Sequence, residues 1–156
     1  MRTLQTCAEP WSHRDDSRTF ELMWLRLNSS VRHTMIGALY HPPKPKYRPS
    51  TLLDFIAANI SAIRHLFPSA LVVLAGDFNR LSGSQIVARC SLQQLVQRPT
   101  CGSRILDKIY VSESCYSNVD VVKPTINSDH HAVVAYNSDR DYWSTGQPPL
   151  LTIGLQ

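Results

Sequence analysis

No stretch of this 156-residue chain approaches the ~18 consecutive apolar residues that a membrane-spanning helix needs, which argues against insertion in a membrane. The opening "MRTLQTCAEPWSHRDD" lacks the apolar core of a secretion signal. Cysteine is sparse and scattered. Cys7, Cys90, Cys101 and Cys115 make no Cys-x-x-Cys and meet no matched histidine pair, so a structural zinc site is not indicated. Without a secretion signal they read as reduced thiols of an intracellular protein, with the nucleus as one destination. There is no internal repeat and no low-complexity tract, which excludes solenoid and disordered classes. Charge of one sign is not concentrated either. Sixteen Lys and Arg against twelve Asp and Glu leave +4, a mild excess that suits a polyanionic partner without requiring one.

What is present is ordinary globular composition, 43% hydrophobic and 18% charged, at a length that suits one domain. "FELMWLRLN" (20–28) and "HTMIGALY" (33–40) read as strands that are apolar on both faces, hence part of a sheet covered on both sides. "HPPKPKYRP" (41–49) is a proline-rich loop. Leu52, Leu53, Phe55, Ile56, Ile60, Ile63, Leu66 and Phe67 recur at helical spacing, with Ser50 or Thr51 as the cap, Asp54 in the first turn and Pro68 as the stop. "ALVVLAG" (70–76) is a short buried strand, and "SGSQIVARC" (82–90) predicts one or two helical turns. "ILDKIYVS" (105–112), "VDVVKP" (119–124) and "HAVVAYN" (131–137) are further strands, the last two close enough to pair antiparallel. Residues 1–19 read as an unpatterned leader, 20–137 as the domain and 138–156 as a tail or linker. The pattern predicts a mixed α/β layered protein.

The informative polar residues stand at strand ends. In "LVVLAGDFNR" (71–80), Asp77 and Asn79 are two apart and leave the carboxyl end of a buried strand on one side, where ligands collect in open α/β sheets. An Asp can deprotonate a water, and an Asn can donate to a substrate oxygen. The same letters also make a good turn. "SDHH" (128–131) places Asp129 and His130 just before a strand, as a cation ligand and a phosphate or proton contact, or else as a solvated loop. Asp107 lies inside an apolar strand. It is either buried with a partner, for which His130 is suited, or solvent-facing beside Lys108. Tyr40 closes its strand as a phosphate contact or as packing with a wet end.

In order, "GALYHPP", "VVLAGDFNR", "ILDKIYVS" and "SDHHAVVAY" resemble the endonuclease/exonuclease/phosphatase superfamily, and within it the apurinic-type endonuclease domain of non-LTR retrotransposons, over about residues 20–137. The resemblance implies a four-layer α/β sandwich that cuts phosphodiesters with Mg2+ or Mn2+. It implies DNA as the partner, no membrane, and a reverse transcriptase domain in a longer polyprotein. On its terms Asp77 activates the attacking water and Asn79 orients the phosphate. Asp129 binds metal, His130 contacts the scissile phosphate while held by Asp107, and Tyr40 bonds a phosphate oxygen. Two earlier motifs of such domains, an Asn strand and a metal-binding Glu strand, have no counterpart ahead of Phe20. The resemblance therefore implies a C-terminal portion lacking its N-terminal strands, with weak or no nicking on its own. Two alternatives follow from the same residues: a phosphoesterase acting on a lipid or sugar phosphate, and a non-catalytic remnant or nucleic-acid-binding fragment.

Overall fold

Helical periodicity between residues 52 and 67 is realised as α1 (Pro49–Leu66), whose Leu52, Leu53, Ile56, Ile60 and Ile63 are buried. Pro49 occupies the first turn, where a fixed φ and a missing N–H cost nothing, so the helix begins ahead of Ser50 and Thr51 and neither caps it. Asp54 consequently falls beyond the first turn and pairs instead with Arg89 on the second helix.

The computed structural model describes residues 7–11, 20–28, 32–124, 127–137 and 151–153. Its strands are β1 (Cys7–Trp11), β2 (Glu21–Asn28), β3 (Thr34–Tyr40), β4 (Leu71–Asp77), β5 (Gln93–Gln94), β6 (Asp107–Val111), β7 (Asn118–Val122), β8 (Ala132–Tyr136) and β9 (Leu151–Ile153). The second helix is α2 (Gly83–Cys90). One sheet has the order β1-β2-β3-β4-β6-β5, and a smaller one runs β7-β8-β9. β4 is central, parallel to β3 and antiparallel to β6, which is why all seven of its residues are buried. β7 and β8 pair antiparallel. β1 and β9 come from the segments read from sequence as leader and tail, and each adds to a sheet edge.

Alternation along β4 assigns its two faces. Val72 and Leu74 pack with the buried residues of α1 and α2, whereas Leu71, Val73 and Ala75 pack with Ile109 and Val111 of β6 and Val133 and Ala135 of β8. A helical layer, a six-stranded sheet and a three-stranded sheet follow in that order, three of the four layers implied by the sequence resemblance. Among the described residues no helix is long and apolar enough to cross a membrane.

Candidate active site

The register that joins β3, β4 and β6 sets Tyr40 beside Asp77 and Asp77 beside Asp107. Positions 71, 73, 75 and 77 share one face of β4, and 107, 109 and 111 share one face of β6. Since the other members of both series pack toward the small sheet, Asp77 and Asp107 face it as well. They lie only 7% and 6% exposed. Tyr40 is 37% exposed at the rim of the same row. Close contact between β3 and β4 at this level depends on Gly76. Its φ is +145°, and a Cβ there would lie 1.9 Å from the Leu39 carbonyl oxygen.

Asn79 adopts a left-handed backbone conformation, φ 43°, which Asn tolerates better than most residues. That turn brings its backbone N–H to Asp77 Oδ1 at 2.9 Å. Its Nδ2 donates to Asp77 Oδ2 at 2.9 Å and to the His41 carbonyl at 2.8 Å. Both amide hydrogens are thus engaged, so in this arrangement Asn79 fixes Asp77 rather than offering a donor to a phosphate.

From the other sheet, the loop ahead of β8 carries His130 to the row, with Nδ1 and Asp107 Oδ2 2.8 Å apart. Alternation sends Lys108 to the opposite face, where Nζ donates to the Leu81 carbonyl and lies 5.8 Å from the Phe78 ring centroid. The alternative of a solvent-facing Asp107–Lys108 pair is therefore not what forms. His131, a structural residue, donates its backbone N–H to the Thr100 carbonyl at 2.7 Å. Asp129 is exposed, with its Oδ2 3.7 Å from Cys101 Sγ. Ligand atoms of Cys101, Asp129 and His130 all lie within 4.8 Å of one another.

Burial raises the Asp77 pKa, and the Asp107 charge adds to the effect. The hydrogen bonds from Asn79 and the charge of His130 work against it without cancelling it. For His130, burial works to lower the pKa, but the hydrogen bond and charge of Asp107, with Asp77 and Asp129 behind it, raise it overall. The Cys101 thiol is pushed up by burial and then by the carboxylates of Asp129, Asp107 and Asp77.

Thr100 and Cys101 carried no sequence signal, because only the folded register reveals them. Thr100 is fully buried, and its Oγ1 accepts the backbone N–H groups of Leu106 and Asp107 at 3.0 Å each. Thr100→Val keeps the shape and leaves two buried donors unpaired, for an expected loss of about 2–4 kcal/mol by urea unfolding, while Thr100→Ser retains most of it. A Thr100→Val loss below ~0.5 kcal/mol would show that these bonds do not hold Asp107 in place.

A cleft of about 560 Å³ opens next to Asn79 and is lined by Arg80, Gln94, Arg104 and Lys108 among others. It places cationic side chains at the margin of the carboxylate row.

No protein-family model matches the sequence, and no curated protein matches it. Solved structures do. The fold is similar to the endonuclease domain of TRAS1, a telomere-specific non-LTR retrotransposon, with a TM-score of 0.62 at 13% identity, covering 85% of this chain and 68% of that one. It is similar to the human Nocturnin catalytic domain with bound sulfate (0.53, 18% identity, 73% of this chain and 51% of that one). It is also similar to humanized D. rerio TDP2 (0.54, 12% identity, 80% and 65%). All three have endonuclease/exonuclease/phosphatase-type folds, and this chain has that fold too. It spans between half and about two thirds of their lengths.

Proposed function

We propose that the chain is a phosphodiester hydrolase whose substrate is DNA, nicked as the endonuclease part of a non-LTR retrotransposon. The observation that carries this reading is the row itself: two buried carboxylates at one register level, one fixed by Asn79 and the other bonded to His130. Asp77, with its pKa raised by burial, takes the proton of a water as that water attacks phosphorus and the opposite P–O ester bond breaks, the departing sugar oxygen taking a proton from solvent. His130, whose pKa is raised overall by Asp107 against the effect of burial, stabilises in its protonated form the negative charge that grows on the phosphate oxygens. Tyr40 bonds a further phosphate oxygen from the rim. Asn79 acts through Asp77 as a positioning residue. Arg80 and Arg104 in the adjoining cleft suit the flanking DNA backbone. A retrotransposon setting would make a reverse transcriptase of the same polyprotein the further partner, a reading that the similarity to the TRAS1 domain supports.

Mg2+ or Mn2+ chemistry would enter through Asp129. Mg2+ asks for a near-octahedral set of oxygen ligands. Among the described residues at the row, Asp77 already holds the N–H groups of Asn79 and Asp107 already holds His130. Asp129 remains as the carboxylate for a cation, and its near neighbours are a thiol and an imidazole. This set does not fit Mg2+.

Cleavage needs Asp77 ionised and His130 protonated, so its pH profile is expected to be bell-shaped. The acid limb should lie above the usual carboxylate value of 3.8, and the alkaline limb above the usual histidine value of 6.5. Asp107→Asn removes the charge that holds the proton on His130, so the alkaline limb should move to lower pH while the acid limb is not raised. Rates of DNA nicking measured from pH 4 to 10 check this, about one pH unit apart. An alkaline limb unmoved in Asp107→Asn would contradict the role given to that pair.

A further inference from the structure

We propose that Cys101, Asp129 and His130 form a site for a borderline transition-metal ion of the Zn2+ class. The site shares His130 with the hydrolytic reading without resting on it, and its ligand chemistry differs from that of a magnesium site. The thiol sits in a short turn whose backbone is paired to both partners: Cys101 bridges Arg104 within the turn and His130 across to the β8 loop. That bridge brings residues 101 and 130 together regardless of any ion. A tetrahedral ion with Zn–S of about 2.3 Å and Zn–O of about 2.0–2.2 Å separates the two donors by roughly 3.5 Å. Cys101 Sγ and Asp129 Oδ2 already stand 3.7 Å apart. The three donors lie within 4.8 Å of one another, so a modest side-chain adjustment closes the set.

The histidine is oriented for the task. Its Nδ1 is bonded to Asp107 Oδ2, so ligation is assigned to Nε2, with Asp107 as the carboxylate partner that metal-bound histidines typically have. Thiolate and imidazole donors select zinc-like ions over magnesium. Asp129 is exposed and Cys101 and His130 are partly so, which gives an ion a route in and leaves a fourth position for water. On the hydrolytic reading, an ion held here occupies the face of His130 that would otherwise meet the phosphate, so the two uses exclude each other.

Co2+ reports such a site spectroscopically without any cleavage assay. Titrated into the reduced full chain, Co2+ should give the near-ultraviolet charge-transfer absorption of a Co–thiolate bond and the visible bands of a four-coordinate ion. Zn2+ should bleach both, and a hundredfold excess of Mg2+ over Co2+ should not. Cys101→Ser should abolish the charge-transfer absorption, while Cys7→Ser retains it. Asp129→Asn, at an exposed position, should weaken apparent Co2+ affinity at least tenfold. If Cys101→Ser loses the circular dichroism of the parent chain, Asp129→Asn decides the matter. Absence of a thiolate band, its persistence in a folded Cys101→Ser, unchanged affinity in Asp129→Asn, or bleaching by Mg2+ would each overturn the assignment. None of these outcomes is read through DNA cleavage, so failure of the metal site is distinguishable from failure of the hydrolytic reading.

Discussion

Asp77→Ala is expected to slow DNA cleavage by about 10²–10⁴-fold, the range that a positioned general base supplies. The carboxylate is buried at the end of the central strand, and its oxygens accept both the backbone and the side-chain N–H of Asn79. Among the described residues no other carboxylate stands ready to take its place. Asp107, the next residue across the register, is bonded to His130, and Asp129 is exposed on the opposite loop. Asp77→Asn keeps the volume and one of the two acceptor oxygens while losing the base, so it should be as slow as Asp77→Ala with a smaller loss of packing. The ratio is best read under single-turnover conditions with protein in excess over plasmid, where even a slow parent rate stays measurable. A parent-like rate in Asp77→Asn would remove the base from the account.

Among the described glycines, Gly76→Ala is expected to be the most disruptive addition of a methyl group. At φ +145° the backbone occupies a region that side chains rarely adopt, a strain of ~1–3 kcal/mol before any contact is considered. The added Cβ would also lie 1.9 Å from the carbonyl oxygen of Leu39 on the neighbouring strand, well inside van der Waals contact. β3 and β4 would have to separate where Tyr40 and Asp77 stand side by side. A total loss of about 3 kcal/mol or more, a large share of the 5–15 kcal/mol typical of a domain, should appear as a marked fall in the urea midpoint or a failure to fold. Ala38→Gly, on the adjacent strand, serves as a control for added backbone freedom. A Gly76→Ala chain with a midpoint within ~1 kcal/mol of the parent would show that the two strands do not need this close approach.

Much of this arrangement could be read from the chain because the signals are periodic or positional. The i, i+3, i+4 spacing from Leu52 to Ile63 marks α1, and the β-branched run before Gly76 marks β4. Alternation then decides the orientation of Asp107 once its strand is seen to be covered on both faces. The unread parts share one physical cause: they depend on pairing between distant segments, which leaves no local trace. "CAEPW" acquires strand structure only by adding to the edge of β2, where a proline is tolerated. Thr100 is defined by two N–H groups six and seven residues onward, and Cys101 by its bridge to His130. The start of α1 was displaced by a competing rule. Ser50 and Thr51 are good caps, but Pro49 is a better first-turn residue and took the earlier start. The donor pattern of Asn79 is likewise a product of the folded turn, since its left-handed φ turns the amide back onto Asp77.

A double-mutant cycle on Asp77 and His130 tests most directly whether these residues form one hydrolytic site. Single-turnover nicking would be compared for the parent, Asp77→Asn, His130→Ala and the double variant, each shown to be folded by circular dichroism. Residues that act as a unit give strongly non-additive losses. If Asp77 activates the water and His130 stabilises the phosphate in the same step, each single change should cost at least ~10²-fold and the double little more than the worse single. Cleavage by the parent no faster than by either single variant, or losses that multiply in the double, would contradict a shared site.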